Sequence, residues 1–162
     1  MTVTYEKIAT TTLGSTTASN TFSSIPTTYT DLVLIIVGTT TGASQLMMQL
    51  NGVTTSTYSS TILSGNGTRA ISVRYSGATS MQLGYDDYFS SSQTTAITHI
   101  INYANTTTNK TVISRTSNAS VGAGSSVGLS RSTSATTSIT VFPQGSSWSS
   151  GTTFTLYGIK SE

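Results

Sequence analysis

The chain has one histidine, His99, and one adjacent acidic pair, Asp86-Asp87. His99 sits in the alternating stretch Ile97-Thr98-His99-Ile100-Ile101, so on a strand it shares its face with Ile97 and Ile101. A general base needs an orienting carboxylate and a nucleophile beside it. His99 therefore reads as a side chain packed or hydrogen-bonded within a sheet. Asp86 and Asp87 would point to opposite faces of a strand and converge only in a turn. Paired glycosidase carboxylates stand a defined distance apart across a sugar, and a calcium site needs several further oxygen ligands; neighbouring side chains supply neither. The run Tyr85-Asp86-Asp87-Tyr88-Phe89 has another capacity. Aromatic rings beside carboxylates can stack on sugar rings and accept their hydroxyls, and the same composition suits a protein–protein contact, where tyrosine is enriched. The competing reading is a strand end whose aromatics return to the core. Trp148, in the loop Gly145 to Gly151, poses the same choice between a stacking residue and a lid over one end of a sandwich. Tyr85, Asp86, Asp87, Tyr88, Phe89 and Trp148 are thus the candidate binding residues. No catalytic set, metal ligand set or cofactor is expected.

The composition says what must position them. Of 162 residues, 29 are Ser and 35 are Thr, while only 7% are charged, against ~25% in ordinary globular proteins. Threonine is branched at Cβ and sits well on a pleated surface, and the aliphatic and aromatic residues recur in short alternating groups. This is an all-β composition with a hydroxyl-covered exterior. The cations Lys7, Arg69, Arg74, Lys110, Arg115, Arg131 and Lys160 are scattered, whereas nucleic-acid binding draws on clustered ones; no nucleic-acid partner is expected. The absence of cysteine excludes disulfides and thiolate metal sites. No stretch reads as a signal peptide or as a membrane span of ~20 apolar residues, so no membrane partner is expected.

In chain order, Val3 to Ala9 is a first strand near a sheet edge, and a short strand surrounds Phe22. Ile25-Pro26 makes a turn before Asp31 to Gly38, whose six consecutive aliphatic residues read as a central strand buried on both sides. Gln45 to Leu50 alternates up to Asn51-Gly52, a strong hairpin dipeptide, and Asn66-Gly67 repeats that signal. Further strands are expected at Arg69 to Tyr75 (closed by a turn at Ser76-Gly77), Met81 to Tyr85, Ala96 to Tyr103, Thr111 to Arg115, Val127 to Arg131, Thr137 to Phe142 and Thr152 to Lys160. Roughly nine to eleven strands, with turn signals every ~8–12 residues, predict one domain over 1–162: a single antiparallel β-sandwich, jelly-roll-like. In such a fold the first and last strands often pair, which would bring Tyr5 near Tyr157.

The segment Phe22 to Leu34, the central Leu50-Asn51 and the ending Trp148…Thr153-Phe154-Thr155-Leu156-Tyr157-Gly158-Ile159-Lys160 together resemble small virion structural proteins of tailed bacteriophages. That resemblance covers the two ends of the chain and implies a jelly-roll-like domain without enzymatic residues, located on the particle surface. A capsid decoration or cement protein is the expected role: a homotrimer bridging the major capsid protein or other virion proteins. The alternative is a tail or head fibre module binding host surface glycans, with Tyr85, Tyr88 and Trp148 as stacking residues.

Overall fold

In a computed structural model, which describes residues 4–84 and 89–160, the Asp31–Gly38 run lies inside an eight-stranded antiparallel sheet. The strands are β1 Tyr5–Thr12, β2 Asn20–Phe22, β3 Asp31–Gly38, β4 Leu46–Leu50, β5 Tyr58–Gly65, β6 Ala70–Ala78, β7 Met81–Gln82, β8 Thr94–Ile101, β9 Lys110–Asn118, β10 Gly122–Ser130, β11 Ile139–Pro143 and β12 Thr153–Ile159. The large sheet runs β1-β12-β3-β8-β9-β10-β5-β6, and a four-stranded sheet runs β2-β11-β4-β7. The fold is an antiparallel β-sandwich of the jelly-roll-like kind, with twelve strands among the described residues against the nine to eleven expected.

The core lies between the sheets. Leu32, Leu34 and Ile36 of β3, Phe154 and Leu156 of β12, and Ala96 and Ile100 of β8 meet Leu46, Met48 and Leu50 of β4 and Ile139 and Val141 of β11. The outward side of β3 is less covered than its unbroken aliphatic run suggests. Val33 is buried, but Ile35 and Val37 are only half-buried, because among the described residues no second sheet lies over that side. The first and last strands pair as expected, and the rings of Tyr5 and Tyr157 meet edge-on with centroids 6.4 Å apart.

The segments Phe22 to Leu34 and Trp148 to Lys160 pack together here. A Cβ on Gly158 would fall 2.3 Å from the Tyr29 ring, so only glycine lets that ring lie on β12. Lys160 reaches over the same ring at 5.6 Å and pairs with Glu6 at 2.6 Å. The hydrogen bond and charge of Lys160 hold the Glu6 carboxyl below its ordinary pKa.

Two turn expectations come out differently. Asn51 and Gly52 do take positive φ, at 53° and 64°, but the strands they join belong to different sheets. Asn51-Gly52 is therefore a crossover between layers rather than a hairpin. Its asparagine is committed to a distant segment: Nδ2 donates to the Ala135 carbonyl at 2.8 Å, and Oδ1 accepts from the backbone N–H of Thr137 and Ser138 at 2.8 and 3.1 Å. Ser76-Gly77 does not end its strand. Gly77, at φ 64°, is the extra residue of a bulge where the pairing shifts between Tyr58–Ala78 and Ser59–Ser76.

Candidate binding face

In the half of the large sheet formed by β8, β9, β10 and β5, hydroxyls share the core-facing side with Ala96, Ile100, Val112, Tyr58 and Ile62, while several aliphatic residues face out. Its core-facing positions include Thr98 on β8, Ser114 and Thr116 on β9, Ser126 and Ser130 on β10, and Ser60 and Ser64 on β5, all buried. Its outward positions include Ile97, Ile101, Val127 and Leu63, which are 37%, 38%, 51% and 59% exposed.

Two of the inward hydroxyls, Ser60 and Ser126, have a physical reason in what lies over them. This half is overlain by short β7 and by Leu83 and Gly84, whose backbone polar groups need partners away from water. Ser126 donates to the Leu83 carbonyl at 3.0 Å, and the Ser60 hydroxyl accepts from the Gln82 N–H at 3.1 Å. Gln82 itself donates through Nε2 to the Gly84 carbonyl at 2.8 Å, while Thr98 and Ser114 bond to each other at 2.9 Å. Gly128 completes the fit, because a Cβ there would fall 2.1 Å from Met81 Sδ.

Lys110 is the extreme case. It is buried on the inward side of β9, where its ammonium donates to the carbonyls of Asn105, Thr108 and Thr133 at 2.6, 2.8 and 3.1 Å. Burial pushes its pKa down. Three donors meet three acceptors, so this lysine is a clamp on the loops that follow β8 and β10.

With the hydroxyls inside, the aliphatic residues form an outward belt. One row of register partners runs Tyr157, Val33, His99, Ile113, Val127, Thr61, Arg74. The next runs Thr155, Ile35, Ile97, Arg115, Ser125, Leu63, Ser72. Beside Leu63 and Ile97, the small residues Ala70, Ala123, Ser117 and Thr95 leave a groove of about 590 Å³ with Arg115 on its wall, within the ~300–1,000 Å³ usual for ligand sites. Strands β5, β6, β8, β9 and β10 contain no Asp or Glu. In these two rows aliphatic side chains are interspersed with Thr, Ser and His, and the charges are the cations Arg74 and Arg115. The belt can bind a surface that is aliphatic and acidic; its contacts would be van der Waals and charge-assisted.

The expected site residues lie elsewhere. Tyr85, Asp86, Asp87 and Tyr88 lie outside the described residues. Phe89 and Trp148 are in the core, 1% and 0% exposed, which corrects their assignment as contact or sugar-stacking residues. Trp148 closes one end of the sandwich as a lid. Its backbone bonds with Thr17 at 2.8 and 3.1 Å, and Nε1 donates to the Val141 carbonyl at 3.3 Å. Its indole is held edge-on between the Phe89 and Phe154 rings, each with centroids 5.1 Å away. His99 is half-buried on the outward belt between Val33 and Ile113. The belt itself escapes sequence reasoning because Ser126-Val127-Gly128-Leu129-Ser130 alternates cleanly but with its apolar phase facing out.

No family model matches the chain, and no curated protein matches it. Among solved structures, an exo-inulinase from Aspergillus awamori is 12% identical at a TM-score of 0.40, with 96% of this chain aligned to 29% of that one. The galectin LEC-6 of Caenorhabditis elegans is 7% identical at a TM-score of 0.36, with 94% and 96% covered. Likenesses at this level assign no activity.

Proposed function

We propose that the chain is a non-enzymatic structural protein of a tailed-phage particle, a decoration or cement protein that sits on the head shell through the outward belt of its large sheet. The observation that carries this reading is the exposure of Leu63, Val127, Ile97 and Ile101 on one face. Exposed apolar patches on an otherwise polar surface mark contact sites. Association through such a face stabilises by removing aliphatic area from water, at ~25 cal/mol per Å² before the costs of association. Repeated around a shell, modest contacts of this kind add up. The motifs at the two ends of the chain support a virion role, and the belt supports binding over chemistry.

The test is stoichiometry and docking on purified particles of a phage that encodes the chain. Quantitative mass spectrometry should find copies on the scale of the major capsid protein; a few tens or fewer would overturn the cement reading. Shells stripped of the protein should rebind it, and the Val127→Asp variant, folded by circular dichroism, should fail to rebind.

A further inference from the structure

The large sheet has two edges, and they are treated differently. At β1 the ladder shifts between Lys7 and Ala9, and the Glu6–Lys160 ion pair lies alongside. Bulges and charges are the devices by which proteins keep an edge from pairing with another chain. The other edge, β6, is nine residues long. Its bulge at Gly77 is near one end, and from Ala70 to Ser76 the pairing with β5 runs without a shift. Arg74 is the one charge on it.

The direction of its backbone groups follows from the hairpin. The Asn66 N–H donates to the Arg69 carbonyl at 3.3 Å, so residues 66 and 69 are a hydrogen-bonded pair. In an antiparallel ladder such pairs alternate, and with Ser64 opposite Ile71 and Ile62 opposite Val73, residues 71, 73 and 75 bond to β5. The N–H and C=O groups of Ala70, Ser72 and Arg74 therefore point away from the sheet.

We propose that β6 pairs antiparallel with β6 of a second copy of this chain, about a two-fold axis at Val73. In that register Ser72 lies opposite the partner's Arg74, Val73 opposite the partner's Val73 and Ile71 opposite the partner's Tyr75. The regular stretch Ala70 to Ser76 is paired throughout. The contact is self-complementary, as a two-fold interface requires. Centring the pairing on Arg74 would set the two arginines face to face, which is unfavourable. Centring it on Ser72 leaves Tyr75 and Ser76 beyond the ladder's regular partners. Because Ala70 and Leu63 border the groove, pairing makes two large sheets continuous and brings two grooves together on one outward face. The proposal is independent of the virion reading.

Analytical ultracentrifugation of the purified chain tests it. A concentration-dependent dimer is expected; a monomer throughout the micromolar range, or a trimer, overturns the proposal. Ser72→Pro removes a donor that faces the free edge and is tolerated there, so it should abolish the dimer while circular dichroism stays unchanged; a dimer that persists overturns the proposal. Ser72→Glu and Ser72→Arg place opposite and like charges against the partner's Arg74. Dimer dissociation constants should fall several-fold for the first and rise for the second, and equal constants would exclude the Val73-centred register.

Discussion

The indole of Trp148 stands at 90° to the ring of Phe89, with centroids 5.1 Å apart. The two residues come from different loops, and Phe89 is tied to Ser44 by backbone bonding at 2.8 Å. One end of the sandwich is thus sealed by a perpendicular aromatic pair. Trp148→Ala should cost about 3–5 kcal/mol in urea unfolding, the range for deleting a large buried ring. A double-mutant cycle with Phe89→Leu should return a coupling of about 0.5–1.5 kcal/mol; zero coupling would mean that the two rings seal the end independently.

Asn51 performs two tasks that substitutions can separate. Gly at this position keeps the positive φ and loses the side-chain bonds to residues 135–138; Ala loses both. Asn51→Gly should destabilise by about 1–3 kcal/mol for the orphaned backbone groups, and Asn51→Ala by a further ~1 kcal/mol for the left-handed conformation. Equal values from thermal unfolding would show that the conformation contributes nothing.

Alkaline stability should follow two buried phenols. Burial raises the pKa of Tyr58 and Tyr103 above their ordinary 10.0. The Tyr58 hydroxyl accepts from the Leu50 N–H at 3.0 Å, and the Tyr103 hydroxyl donates to the Pro26 carbonyl. A folded pKa above the unfolded one gives stabilisation that is complete below about pH 10 and is lost as pH rises through the folded values. Lys110 acts in the opposite sense: its pKa is lowered, so its contribution rises with pH up to its ordinary 10.5. The wild type should lose stability above pH 10 by at most ~1.4 kcal/mol per pH unit for each tyrosine. Tyr58→Phe and Tyr103→Phe should each flatten that slope in urea titrations, and an unchanged slope would count against these two groups.

The two sides of β3 should respond differently to charge. Leu34 is fully buried in the inter-sheet core, whereas Ile35 is half-buried on the outward belt. Leu34→Asp should prevent folding, since an unpaired charge there has no water and no partner. Ile35→Asp should still yield a folded protein by circular dichroism. Loss of folding in both would mean that the outward face is covered.

Much of the sandwich was legible in the chain, and the reason is local. Strands such as β4, β11 and β12 carry their main apolar residues on the core side, where alternation points correctly, and β3 is marked instead by its unbroken aliphatic run. Strand β5 had no such mark, because Ser60 and Ser64 share the inward side with Tyr58 and Ile62. On β8 the faces were separable in sequence, but Thr98 went in and Ile97 went out. Which phase faces the core depends on what lies across from it or beside it: Thr98 bonds to Ser114 on β9, and Ser60 and Ser126 serve the backbone of Gln82 and Leu83. That information resides in another part of the chain. Trp148 and Phe89 took the core readings that the sequence also offered: the Gly/Ser-rich loop around Trp148 looks open in sequence, yet it folds its aromatic inward.

Thr10 and Thr155, whose hydroxyls bond across β1 and β12, lie 145 residues apart. A ribosome adding ~5–20 residues per second therefore leaves the first strand without its partner for roughly 7–30 s. For most of that interval the chain's aliphatic core strand β3 also lacks β12 on one side. Closure of the large sheet at this edge is thus a late event in the life of each molecule. It comes only when the last strand has left the exit tunnel.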